Sequence, residues 1–218
     1  MNEAFQKLEP EKQQRIWDAV LREFAAKGYR DASTNRIVED AGIGKGMLFY
    51  YFKNKAELFR SALVYCLDYI EEEYVRRLDF SEPDFIVRFS KAVEAKMAAY
   101  LRNPLPFTFL ASFHINREAV EIAPDLYSRL QEMGNKGMQA LFADVDVSLF
   151  RDDVAPEHIL NIIRWVMDGW SQDIIAHLER EALLDYDWES TTKKLYELFA
   201  VLRKVLYKEV QNGDSKGQ

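Results

Sequence analysis

Cysteine is almost absent from this chain of 218 residues: Cys66 is the single example. One thiol excludes an internal disulfide framework and a Cys-x-x-Cys zinc site, and it fits a reducing compartment. Histidine is nearly as scarce. His114, His158 and His177 stand far apart and share no ligand spacing, so no metal site is expected. No stretch approaches the roughly 20 uninterrupted apolar residues of a membrane helix. The opening MNEAFQKLEPEKQQR is polar and charged, unlike a secretory signal, and a cytoplasmic location is the expectation. No Ser-His-Asp order, GxSxG elbow or glycine-rich phosphate loop occurs, so neither enzyme activity nor a cofactor is expected. Only 9 glycines and 6 prolines are present, and they fall at breaks between periodic segments. Alternating strand patterns are equally rare; DVDVSLF at 144–150 is the nearest case.

What is abundant is helical periodicity with aromatic side chains: 14 Phe, 11 Tyr and 4 Trp in a chain that is 48% hydrophobic and 30% charged. The first helix reads from Glu11 to Lys27, with Pro10 suited to a first helical turn and Gly28 to a stop. Two short helices follow, Thr34 to Ala41 and Lys45 to Phe52, and a long fourth from Lys55 to about Leu78. Further helices are expected near 83–101, 105–117, 124–143, 156–182 and 188–211, with proline in the breaks RNPLPF, EIAPDL and SLFRDDVAPEH. Net charge is −7, unevenly spread: residues 1–60 hold 11 basic and 9 acidic side chains, the remainder 18 and 27. A mildly basic head on an acidic body is the asymmetry expected where only the head meets nucleic acid.

The head concentrates its chemistry in ASTNRIVEDAGIGKGMLFYYFKNKAELF, residues 32–59. Ser33 or Thr34 can cap the second helix, Ile37 and Val38 face inward, and Gly42 permits a left-handed turn. Gly44, Lys45 and Gly46 then open the third helix. A turn of about three to four residues containing glycine between two short helices is helix–turn–helix spacing. Leu48 and Phe52, four apart, anchor the third helix. Its other face carries Lys45, Gly46, Met47, Tyr50 and Tyr51, since two adjacent tyrosines cannot both enter one narrow core. A major groove about 12 Å wide admits one such helix. Gly46 allows close approach, Lys45 can reach a guanine edge or a phosphate, Met47 can lie on a thymine methyl, and the tyrosine hydroxyls can meet phosphates. Lys55 heads the fourth helix, where its ammonium and the free N–H groups favour a phosphate. Thr34 and Asn35 open the second helix, where a backbone or base contact is expected. Arg36 and Lys53 read as solvated charges or auxiliary phosphate contacts.

These residues carry a resemblance. The segment GYRDASTNRIVEDAGIGKGMLFYYFKNKAEL resembles the DNA-binding domain of the TetR family of transcriptional regulators, whose pattern runs roughly G-[FY]…T-[ST]-x-x-x-I-A-x-x-A-G-V-S-x-G-x-L-Y-x-[HY]-F-x-x-K-x-x-L. Gly28, Tyr29, Ser33, Thr34, Ile37, Ala41, Gly42, Ile43, Gly46, Leu48, Tyr51, Phe52, Lys55 and Leu58 match in register. The likeness covers about residues 10–60. Gly44 departs from the usual serine, a cap change costing only a few tenths of a kcal/mol. Phe49 stands where the family has a phosphate-binding tyrosine, so that contact is lost or passes to Tyr50. Val38 replaces an alanine. The fold class expected is all-α, with an N-terminal three-helix helix–turn–helix domain at 1–54, a larger C-terminal helical domain at 55–211 and a flexible tail at 212–218.

The resemblance implies a homodimer on double-stranded DNA, joined through the helices near 156–182 and 188–211, whose apolar residues cover more than one stripe and are compatible with a partner. It also implies a small-molecule effector pocket in the body that releases a palindromic operator. The stretch YLRNPLPFTFLASFHINRE supplies the candidate wall, Tyr100, Phe107, Phe109, Phe113 and His114, and Trp165, Asp168 and Gln172 could supply further contacts to an apolar or aromatic effector. Ordinary core packing is the simpler reading of any one of these, as it is for Cys66. The carboxylates of YIEEEY read as a solvated helical face. Two other functions compete with the repressor: a DNA-bound protein whose body docks a protein partner, and an enzyme, which would need a convergent acid–base pair.

Overall fold

Phe5 sets the N-terminal boundary of the head. The computed structural model describes residues 3–115, 117–178 and 185–209. A single helical turn, α1 (Glu3–Gln6), inserts Phe5 edge-on against Trp17 at 5.1 Å and Tyr51 at 5.6 Å, and tilted against Phe52 at 5.0 Å. One turn has no periodicity to read and is not stable alone, so these ring contacts hold it. Helix α2 (Pro10–Asp31) starts with proline at its first turn and buries Ile16, Trp17, Val20, Leu21 and Phe24. The stop expected at Gly28 is a break inside it: φ 68° and ψ −178° there are closed to residues with a Cβ, and one more turn follows.

Helices α3 (Thr34–Ala41), α4 (Lys45–Phe52) and α5 (Lys55–Glu73) begin where the sequence places them. Asn54 caps α5 by accepting the Glu57 N–H at 2.8 Å. Helix α5 ends short of Leu78, passing into a tight turn at Val75–Arg77. The body comprises α6 (Phe85–Arg102), α7 (Leu105–Ile115), α8 (Arg117–Ile122), α9 (Pro124–Phe142), α10 (Pro156–Leu178) and α11 (Trp188–Leu206). Helical structure thus extends over Arg117–Ile122, beyond the end near 117 that was expected. The segment 144–150 forms a turn at Val147–Leu149 and one antiparallel bridge, Phe150 to Tyr207, and among the described residues there is no strand. The expected tail, 212–218, lies outside the described residues. The all-α class, with a helix–turn–helix head and a larger helical body, is as the sequence implies.

Two apolar clusters organise these elements. The first joins α1–α4 to α5 and α7, with Leu58, Phe59, Leu63, Phe109 and Phe113 all buried in it. The second joins α6, α10 and α11 through Phe85, Ile159, Ile163, Met167, Phe199 and Leu202. Arg88 fastens the end of α9 to this second cluster. It is 2% exposed and donates to the carbonyls of Glu82, Leu141 and Ala143. A helix C-terminus presents unpaired carbonyls and partial negative charge, and the guanidinium answers both.

Candidate nucleic-acid interface

Four residues of α2, α3 and the link between them fix the attitude of the reading helix. Glu23, buried in an otherwise apolar face of α2, accepts the Ser33 N–H at 2.7 Å and pairs with Arg36 at 3.9 Å. Ser33 in turn caps α3, its hydroxyl accepting the Arg36 N–H. At the other end Arg15 donates to the Ala41 carbonyl at 3.1 Å. Gly42 then turns the chain with φ 64°, its N–H and that of Ile43 closing onto Glu39 and Val38 carbonyls at 3.1 and 3.0 Å. With both ends of α3 tied to α2, α4 emerges at a fixed angle.

Helical spacing divides α4. Leu48, Tyr51 and Phe52 are buried, while Lys45, Gly46, Met47 and Tyr50 face outward, the last 61% exposed. Tyr51 corrects the sequence reading: it is 2% exposed, because position 51 lies three residues from Leu48 on the inner face and Phe5 from α1 completes a box around it. Phe49 is half-buried. Thr34 is half-buried and Asn35 exposed at the start of α3.

Lys55 also departs from expectation. Its ammonium donates to the Arg30 carbonyl at 2.9 Å and lies 5.2 Å from the Tyr29 ring centre. Desolvation lowers its pKa, against the pull of Asp31 and Glu23. The lysine therefore joins the start of α5 to the end of α2 and turns one of its three donors inward.

The sequence profile described as bacterial regulatory proteins, tetR family, matches residues 16–62, from within α2 into the start of α5. Over 94 residues the chain is 31% identical to the HTH-type transcriptional regulator SrpR of Pseudomonas putida, covering 43% of this chain and 41% of that protein. It is 31% identical over 94 residues to the uncharacterized HTH-type transcriptional regulator TtgW of Pseudomonas putida, covering 43% of this chain and 66% of that one. The chain thus matches under half of the first relative and just under two thirds of the second. The whole fold is shared with a TetR-like transcriptional regulator from Rhodococcus sp. at TM-score 0.58 and 16% identity, over 90% of this chain and 96% of that one. Residues 16–62 of this chain are a TetR-family DNA-binding head.

In the body, the residues singled out from the sequence fall in three separate places. Phe109 and Phe113 sit in the core beneath the head, their rings 5.5 and 6.1 Å from that of Phe59. They are core, not pocket wall, because α7 packs between α2 and α5. His114 is exposed and stacks on Tyr127 at 5.9 Å. Trp165, Asp168 and Gln172 lie on the outer face of α10, since the stripe Ile159, Ile163 and Met167 takes the core. This corrects their assignment to a shared wall. Tyr100 and Phe107 do meet, at 6.0 Å, and Trp188 of α11 lies 6.1 Å from Tyr100.

The sequence reading did not single out Trp188, Val201 and Val205. The last two are exposed apolar side chains on α11, legible only once their buried neighbours are known. A groove of about 790 Å³ runs along α5, lined by Asn54, Arg60, Tyr65, Asp68 and Glu72 among others, and none of the expected effector residues lines it. Among the described residues there is no cluster of metal-ligating side chains and no helix long and apolar enough to cross a membrane.

Proposed function

We propose that the protein is a homodimeric transcriptional regulator that binds an inverted-repeat operator through α4 and releases it when a small molecule occupies the body. The observation that carries this reading is the division of α4: Leu48, Tyr51 and Phe52 clamp the helix into the head while Lys45, Gly46, Met47 and Tyr50 project from it. A rigidly held helix with one polar, close-approaching face suits the major groove. Asn35 at the start of α3 and Lys55, through its remaining donors, complete the proposed contact set with Thr34. Tyr51 contributes by packing.

The dimer would form through the outer faces of α10 and α11. Ile162, Trp165, Val201 and Val205 are there exposed by 36%, 68%, 56% and 50%, an apolar surface that supports a partner. Release requires that the effector bind one separation of the two heads better than the other; tight binding alone shifts nothing. The test is recovery and sequencing of sheared genomic DNA on the purified protein at about physiological salt. Enrichment of an inverted repeat is expected. Uniform recovery of all DNA by an effector-free preparation would overturn sequence-specific reading by α4.

A further inference from the structure

Lys96 is an anomaly in the stripe of α6 that faces α11. The stripe runs Phe89, Val93, Lys96, Tyr100 at successive spacings of four, three and four. Phe89 meets Phe199 at 5.4 Å and Tyr100 meets Trp188 at 6.1 Å, so the two helices run antiparallel and the register brings Lys96 opposite Thr192. The helices around that position desolvate the lysine and lower its pKa, with no charged group acting against it. Yet its side chain keeps substantial accessible surface. A lysine desolvated by neighbouring helices and yet exposed stands at the wall of an open recess between α6 and α11.

One turn from Lys96 along α11, the indole N–H of Trp188 is buried and has no hydrogen-bond partner among the described residues. No hydrogen bond or ion pair offsets the desolvation of Lys96. A buried donor left unpaired is costly, and so is an ammonium desolvated without a partner. Two such donors at one recess both want an acceptor. Tyr100, Phe107, Tyr69 and Tyr186 surround them with ring faces and edges: Phe107 lies 6.4 Å from Tyr69 and Tyr186 4.6 Å from Trp188.

We infer that this recess takes an amphipathic organic anion, whose carboxylate or sulfonate lies between the Lys96 ammonium and the Trp188 N–H while its apolar body rests among the rings. The inference rests on the reading of the body as an effector site and adds to it the charge of the effector.

The test uses the full-length protein and two probes of nearly one shape. 1-Anilinonaphthalene-8-sulfonate carries an anionic group, and N-phenyl-1-naphthylamine lacks it. Binding is read from the Trp188 indole N–H resonance, assigned with Trp188→Phe. The sulfonate is expected to move that resonance, and Lys96→Met to weaken it by about tenfold or more, as for a hydrogen bond to a charged group. Lys96→Arg should retain most of the affinity, and the neutral probe should bind all three proteins alike. Equal sulfonate affinity in wild type and Lys96→Met would overturn the anion assignment and leave the effector site standing. If neither probe moves the Trp188 resonance, the effector site in this recess falls as well.

Discussion

Lys45 stands in the first turn of α4 with its side chain in solvent, following Gly44, which supplies no capping group. Its ammonium is therefore available to DNA in a way the Lys55 ammonium, already bonded to the Arg30 carbonyl, is not. Lys45→Ala is expected to lower the slope of log affinity against log salt by about one, measured by fluorescence anisotropy on the recovered site. An unchanged slope would remove Lys45 from the contact set. Arg88 makes the opposite kind of prediction. Arg88→Met would strand several carbonyls at the end of α9, at about 1–3 kcal/mol for each that water cannot reach. A loss of about 3 kcal/mol in urea unfolding is expected, with DNA contacts in the remaining native fraction unaltered. At this scale the sequence was partly legible. Lys45, Gly46, Met47 and Tyr50 could be placed from spacing alone. Tyr51 could not, because the phenylalanine that buries it comes from a turn at residues 3–6 too short to leave a pattern.

Helix α5 is the element through which the head meets the body, and it is fastened to α9 by charge. Arg60 donates two parallel hydrogen bonds to Asp125 at 2.8 and 2.7 Å, and Arg129 returns from α9 to Asp68 and Glu71, each at 2.8 Å. The Arg60 guanidinium holds the Asp125 carboxyl down at about 2 from an ordinary 3.8. A depressed carboxylate pKa contributes stability that is complete above the unfolded value and is lost as pH falls through the folded one. The α5–α9 clasp should therefore open between about pH 4 and pH 2, and an NMR titration of the Asp125 carboxyl should find its midpoint near the lower value. Asp125→Asn should remove this part of the acid sensitivity and leave the rest; a midpoint near 3.8 would mean the clasp is open in solution. The helices themselves were readable because most are long and amphipathic, and their starts carry capping residues such as Ser33 and Asn54. The clasp was not readable, because Arg60 and Asp125 are 65 residues apart and each alone is an ordinary surface charge.

At the scale of the whole molecule, the outer face of α10 and α11 is where the proposed dimer would form. Core formation uses one side of each helix, through Ile159, Ile163 and Met167 on α10 and Leu195, Phe199 and Leu202 on α11. The sequence showed these helices as apolar on more than one stripe, but not which stripe faces inward. That assignment comes from α6, whose Phe85 and Phe89 belong to the same cluster. What is left outside is led by Trp165, with Ile162 before it and Gly169 one turn later, and a Cβ built on Gly169 meets nothing within 4 Å. A large aromatic beside an open glycine suits knob-in-hole packing against a second copy, and buried tryptophans commonly contribute about 2 kcal/mol or more to an interface. Trp165→Glu is therefore expected to raise the dimer dissociation constant by at least about thirtyfold, read by sedimentation velocity as a shift toward a 25.5 kDa species. Helix content should not change, because Trp165 touches neither core cluster. Loss of the dimer should also weaken binding to a two-half-site DNA far more than binding to a single half-site, since only the former draws on both heads. If Trp165→Glu sediments like the parent protein, the two-fold axis lies on another face, and the geometry by which two α4 helices would reach successive major grooves must be sought there.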